Sequence, residues 1–398
     1  MAVSLLAYDV SDLCLGKPPL RTLSISATVG DALFALKRTD ESCLSVWSCC
    51  DRGEACAKSP SAAGACRCVG KVCMVDIICF LCREENLSSP FEALQKPVEV
   101  LLPKSGGELV RHLDPHSSVL EAIDLILDGA QNLVVPIQSH KKKPLQKSPF
   151  NATVHNGRQY CWLTQEDVIR FLLNSIGTFS PIHGRSIESL DIISGEHVRG
   201  IHYEEPAKSA LPFIAQSHVT QTSVAIVDEN EKLVGEISPF TLACCDETVA
   251  AAIETLSAGD LMAYIDCGGP PVDLIKLVKA RLKEKQLVAA LELLEDDDTP
   301  TLLSFNSSSS FNSSCSSDEE SGNGKSGRLG GYSARMVRRS EAIVCFPWSS
   351  LVAVMIQALA HRVSYVWVVE EDGSLVGVVN FAGILKVFRQ NYKPHASP

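Results

Sequence analysis

No apolar stretch in the 398-residue chain reaches the roughly 20 residues that a bilayer-spanning helix needs; the longest, around residues 72–81, is interrupted by Asp76. Membrane insertion is therefore not expected. Positive charge is also in short supply, with 36 lysines and arginines against 47 acids and a net charge of -11. Binding phosphate backbones requires clustered cations, and here they gather only locally, at Lys141 to Lys143 and at Arg335, Arg338 and Arg339. A general nucleic-acid surface is excluded. Catalytic signatures are missing as well: the ten histidines form no His-Glu-x-x-His or Cys-x-x-Cys-His arrangement, and there is no Gly-x-Ser-x-Gly elbow. Gly324, Lys325 and Ser326 resemble the end of a P-loop, but its first glycine would fall on Glu319. An enzyme is not expected. The opening MAVSLLAYDVSDL lacks a basic region, and Asp9 and Asp12 disfavour an organelle transit peptide, so the expected location is cytoplasmic, with the nucleus left open.

What the chain does have is a unit written four times, in two close pairs. A helix with small and aliphatic residues on one face is followed by an apolar strand, then a second strand that runs into another helix. Val29, Ala32, Leu33 and Leu36 stand at i, i+3, i+4 and i+7, as do Val119, Ala122, Ile123 and Ile126, and Leu351, Val354, Met355 and Ala358. In the third copy Ala207, Ala210, Leu211 and Ile214 keep the offsets, with Pro212 weakening the helix. Strands rich in β-branched and aromatic residues follow at 43–47, 132–137, 222–228 and 363–369. The second halves read GKVCMVDIICFL, CWLTQEDVIRFLL, LVGEISPFTLAC and LVGVVNFAGILKVF. A helix with one apolar face cannot bury it alone, so each unit must pack against a partner.

These blocks, with CLGKPPLRTL, GAQNLVVPI, LSAGDLMAYID and SEAIVCFPWSSLVAVMIQALAHRVSYVWVVE, resemble the plant CBS-domain proteins of the CBSX type over nearly the whole chain. A more distant likeness is to the gamma subunit of AMP-activated protein kinase. The resemblance implies an α/β (α+β) fold of four strand-helix-strand-strand-helix repeats paired into two Bateman modules. Repeat 1 (14–82) and repeat 2 (98–178) form the first module; repeat 3 (186–246) and repeat 4 (336–390) form the second, around a helical insert at 248–294 and a disordered Ser-rich linker at 296–335. It also implies a regulatory protein that requires no cofactor, senses an adenosine-containing ligand (AMP, ADP, ATP or S-adenosylmethionine) and modulates a partner protein. The alternatives are a ligand-free scaffold or gamma-like subunit of a SNF1-related or AMP-activated kinase complex, and a thioredoxin-linked redox regulator. The expected partners are the adenosyl ligand, a protein kinase complex and a second copy joined through the Bateman modules, with no nucleic acid and no membrane.

By the same resemblance, adenosyl ligands are held at the turn between the last strand and last helix of each unit by Ser/Thr-x-x-Asp. The aspartate accepts from ribose hydroxyls and the helix N-terminus meets the phosphate. The second unit alone has both residues intact, Thr164 and Asp167, with Asn132, Val134, Val135 and Pro136 on the preceding strand as expected neighbours, so a single adenosyl ligand is expected there. The first keeps Asp76 but has Cys73 in place of the hydroxyl; the third has Ser238 and Thr241; the fourth has Asn380 and Gly383. Asn132 supplies no positive charge for a phosphate. A threonine followed three residues on by an acid also describes a plain helix cap, and both readings of Thr164 and Asp167 stay open.

Of 16 cysteines, five lie between the two strands of the first unit: Cys49, Cys50, Cys56, Cys66 and Cys68. Soft ligands so gathered could hold zinc, but no pair of Cys-x-x-Cys knuckles sets a tetrahedral site, and no metal is expected. Reduced thiols in a variable surface loop that is dispensable for folding, and small core cysteines such as Cys73 and Cys79, are expected instead. In the insert, 248–259 and 271–294 read as helices, the latter with a stripe of Leu274, Val278, Leu282, Leu287, Leu291 and Leu294 that should pack inward. The 296–335 stretch should be protease-sensitive; its serines beside Asp318, Glu319 and Glu320, and Ser340 after Arg338 and Arg339, are phosphorylation candidates. The loop from Gln138 to Gln159 reads as a mobile connection.

Overall fold

The computed structural model describes residues 7–38, 42–49, 66–103, 109–137, 154–179, 182–195, 198, 200–266, 270–295 and 341–391. Cys50, Cys56, the 296–335 stretch, Ser340 and most of the Gln138 to Gln159 loop lie outside the described residues.

Among these residues, four three-stranded sheets are built alike. In the first unit β1 (Thr22–Ser24) leads through the Val29–Arg38 helix to β2 (Cys43–Ser48), which it flanks in parallel. β2 returns antiparallel to β3 (Arg67–Cys73), which enters the Met74–Leu81 helix directly. The second unit repeats this as β4 (Val110–His112), Val119–Leu127, β5 (Asn132–Ile137), β6 (Gln159–Thr164) and Gln165–Asn174. The third runs β7 (Gly200–His202), Leu211–Thr220, β8 (Val224–Val227), β9 (Leu233–Ile237) and Pro239–Leu242. The fourth runs β10 (Val344–Cys345), Leu351–Ala360, β11 (Tyr365–Val369), β12 (Leu375–Asn380) and Phe381–Gln390. Parallel neighbours need a crossover, which is why a helix stands between the first two strands of every unit. The residues at helical spacing are the ones that fill the core: Val29, Ala32, Leu33 and Leu36 are buried, as are their counterparts in the second and fourth units. Pro212 does not interrupt the third helix. A 3-10 turn at Ala207–Ala210 comes first, and Pro212 then sits in the opening turn of Leu211–Thr220, where no intrahelical N–H is required.

The units meet in two ways. Sheet faces sheet in the first pair, where Trp47, Cys66 and Cys68 pack against Val110, Val134 and Tyr160, with the Trp47 and Tyr160 rings 5.1 Å apart. In the second pair the buried Glu236 of β9 accepts from Tyr365 Oη at 2.8 Å and Trp367 Nε1 at 2.6 Å on β11. Helices then join across the pairs: one buried cluster unites the first and third units with the insert, and another unites the second and fourth. The leading segments cross over too. Asp9 bridges Ser118, Ser186 bridges Ser350, and Cys14 is buried in the core of the second and fourth units, although its number assigns it to repeat 1.

The insert is more broken than its periodicity suggests. Val249–Thr255 ends at an extended Leu256, and Ser257, whose hydroxyl accepts from Asp260 N at 3.1 Å, starts a new helix at Ala258–Tyr264. Gln286, with a φ of 60°, separates Val272–Glu284 from Val288–Glu295, since a left-handed residue cannot continue a right-handed helix. Val278 and Leu282 of the stripe are buried in the first-and-third cluster. No helix among the described residues is long and apolar enough to cross a membrane.

Candidate functional site

The end of β3 sets the geometry of the first unit's turn. Cys73 is the N-cap of the Met74–Leu81 helix and its N–H donates to Asp76 Oδ2 at 2.7 Å, fixing the carboxylate at the helix start. Beside it opens a cleft of about 370 Å³ where the first unit, the segment leading to the second, and the Leu211–Thr220 helix of the third converge. Val75, Leu102, Val110 and Val219 are among its apolar walls; Lys71, Asp76, Arg83, Gln131 and His218 supply polar groups. Gly70 leaves room for Leu102 to close on the cleft, since a Cβ there would stand 2.5 Å from Leu102 Cδ2 and push that side chain aside. The Gln131 side-chain amide donates to the carbonyls of His218, at 3.1 Å, and Val219, tying the second unit to the end of the third unit's helix.

His218 Nε2 lies 3.3 Å from Asp76 Oδ1 and 3.5 Å from Cys73 Sγ. Burial opposes charge on the imidazole, but Cys73 and Asp76 beside it override that and hold His218 well above its ordinary 6.5. Burial likewise opposes the Asp76 carboxylate, and His218 reverses the balance, holding it below its ordinary 3.8. Burial pushes the nearby Cys79 thiol up to about 12, with Asp76 adding to the shift. The cleft thus combines a carboxylate suited to ribose hydroxyls, cations at Lys71 and Arg83 suited to phosphate, and apolar walls suited to a base.

The second unit brings its expected residues together only in part. Thr164 caps the Gln165–Asn174 helix: its hydroxyl accepts from Asp167 N at 3.3 Å and donates to Asp167 Oδ2 at 2.7 Å, and its N–H reaches the same oxygen at 2.7 Å. Lys17 also bonds to Asp167 Oδ2 and donates to Trp162 O at 2.7 Å, so a cation from ahead of β1 already sits on this carboxylate. Asn132 lies in register opposite Thr164, buried, and its Nδ2 has no hydrogen-bond partner among the described residues. Val134 and Val135 point to opposite faces, the first into the core between sheets and the second into the helical core, and so cannot line one wall. Pro136 is partly buried and pairs with Tyr160. In the third unit Ser238 is buried and caps through Phe240 N at 3.2 Å; in the fourth, Asn380 Oδ1 accepts from Gly383 N at 2.9 Å.

The cysteine expectations need correction. Cys66 and Cys68 are not in a surface loop: they are 3% and 1% exposed, packed beside Trp47. Burial pushes the Cys68 thiol up to about 12, and its Sγ contacts Gly70 O at 3.4 Å. Cys66 is disulfide-bonded rather than reduced. Cys49 Sγ stands 3.4 Å from His155 Nδ1, and Cys49, Cys66 and His155 keep their donor atoms within 4.8 Å of one another. A disulfide sulfur is not a thiolate donor, so this trio is not a metal centre as it stands. His155 stacks on Trp47 at 3.8 Å, and burial pushes it down to about 4. A signal for its turn was present in the Asn156-Gly157 dipeptide, whose φ angles of 51° and 73° make a tight hairpin. His218 and Lys17 carry no such local signal, because each reaches its site from about 150 residues away in sequence.

No family model matches the chain. The CBS domain-containing protein CBSX5 of Arabidopsis thaliana is 48% identical over 98% of this chain and 98% of its own length. The SNF1-related protein kinase regulatory subunit gamma-like PV42b of the same plant is 22% identical over 97% of this chain and 95% of its own. The crystal structure of a Methanocaldococcus jannaschii protein, described as a candidate archaeal homolog of g-AMPK, aligns with a TM-score of 0.53 at 15% identity, covering 96% of this chain and 100% of that one. That last likeness bears on the fold alone.

Proposed function

Because the chain belongs to the CBS domain-containing proteins, alongside Arabidopsis CBSX5, we propose that it is a regulatory protein that senses an adenosine nucleotide in the cleft beside Asp76 and passes the binding on to a partner protein. The single observation that carries this is the composition of the cleft, where Lys71 and Arg83 stand with Asp76 among apolar walls at a strand-to-helix turn. Ribose, phosphate and base each meet a group of the right chemistry there once His218 releases Asp76 Oδ1, as Lys17 would have to release Asp167 in the second unit. The Thr164 and Asp167 site could take a second ligand only after Lys17 leaves the carboxylate. A gamma-like role in a kinase complex is the second reading, supported by the name of the PV42b relative. Calorimetric titration of the purified chain with AMP, ADP, ATP and S-adenosylmethionine tests the first: saturable binding of at least one is expected, and heat-free titrations with all four would leave the scaffold role in its place.

A further inference from the structure

Cys73, Asp76 and His218 meet across the boundary between the first and third units, and their donor atoms lie within 4.8 Å of one another. Tetrahedral zinc, with sulfur at about 2.3 Å and nitrogen or oxygen at about 2.0–2.2 Å, sets neighbouring ligand atoms about 3.3–3.6 Å apart. The separations here are 3.5 Å from Cys73 Sγ to His218 Nε2 and 3.3 Å from His218 Nε2 to Asp76 Oδ1. We propose that Cys73, Asp76 and His218 form a zinc site with three protein ligands, whose fourth position opens to the cleft that Asp76 and His218 line.

An ion pair alone would account for Asp76 and His218. It leaves unexplained why the same imidazole nitrogen also faces the sulfur of Cys73, a residue 5% exposed that stands where the resembled pattern has a hydroxyl. The carboxylate is already oriented for a ligand role, because Cys73 N–H holds Oδ2 and leaves Oδ1 directed at His218. One sulfur, one imidazole and one carboxylate suit zinc over magnesium or calcium, which prefer oxygen alone. An ion at this point would fasten the Met74–Leu81 helix to the Leu211–Thr220 helix and so link the two pairs of units. It would also occupy the carboxylate that a ribose would use, making zinc and nucleotide exclusive at Asp76. The inference shares that residue with the nucleotide reading but does not depend on it.

The test uses the full chain, stripped with a chelator and titrated with cobalt(II), then zinc. The expected result is a stoichiometric thiolate-to-cobalt charge-transfer absorption that zinc abolishes. Cys73→Ser should lose that band and weaken zinc binding by at least about tenfold, since even groups that merely orient a ligand contribute about 10- to 100-fold. Serine is a favourable N-cap, so this variant should fold, and His218→Ala provides an independent second lesion. A wild-type chain without the band, or a band that survives in both variants, overturns the proposal. Titrating the Cys73→Ser chain with AMP separates the two readings: it removes the zinc ligand and restores a hydroxyl, so nucleotide binding should persist while the metal signal disappears.

Discussion

The carboxylate of Asp76 and the imidazole of His218 lie 3.3 Å apart, joining the first and third units across a boundary that their sequence numbers do not suggest. His218 is held above 6.5 in the folded chain, so its contribution to stability is complete below pH 6.5 and fades as pH rises through the raised value. Asp76 is held below 3.8, so its contribution is complete above pH 3.8 and fades as pH falls through the lowered value. Both are present between those limits. The difference in melting temperature between the wild type and His218→Gln should therefore be largest between pH 3.8 and 6.5 and shrink in alkaline solution. A difference that stays constant into the alkaline range would show that the pair does not titrate as described.

Lys17 holds the carboxylate of the second unit's Thr164 and Asp167 cap. Lys17→Met should release Asp167 and raise the number of adenosine nucleotides bound per chain, as counted by calorimetry. An unchanged count would mean that the second unit's turn is a helix cap and nothing more.

Thiol reactivity should follow burial. Cys68, Cys79 and Cys345 have thiols pushed up to about 12 by burial, whereas Cys49 and Cys244 are exposed. Brief alkylation of the native chain near neutral pH, read by peptide mass spectrometry, should label Cys49 and Cys244 and spare the other three. Early labelling of Cys68 would place it outside the core.

Glu236 is a buried polar link between the sheets of the third and fourth units. Glu236→Ala leaves Trp367 Nε1 and Tyr365 Oη without the carboxylate they bond to, and buried donors so stranded cost about 1–3 kcal/mol. Denaturant unfolding should show a loss of that order. An unchanged midpoint would mean that water or Ser238, 3.1 Å from Tyr365 Oη, takes over the donors.

The fold was legible because its signals are local. Period-3.6 apolar faces such as Val29, Ala32, Leu33 and Leu36, each followed by a β-branched strand, recur four times. What was hidden depends on contacts between distant segments. The Thr164 and Asp167 pattern is visible in sequence, yet Lys17, which decides what that carboxylate does, lies 150 residues away. Asp76 was visible too, but its cleft exists only because Leu102 and the third unit's His218 close on it. The cysteine stretch misled for a related reason: Cys66 and Cys68 sit between strands in number, but the β3 register carries them beneath Trp47.

Titrating AMP into three chains, wild type, Asp76→Ala and Asp167→Ala, decides whether an adenosine nucleotide binds beside Asp76. Circular dichroism should first show that each is folded, since both carboxylates also cap helices. Asp76→Ala should weaken binding by at least about tenfold, the equivalent of roughly 1.4 kcal/mol, while Asp167→Ala should bind as the wild type does. Binding that survives Asp76→Ala and is lost in Asp167→Ala would contradict that placement and move the site to the second unit.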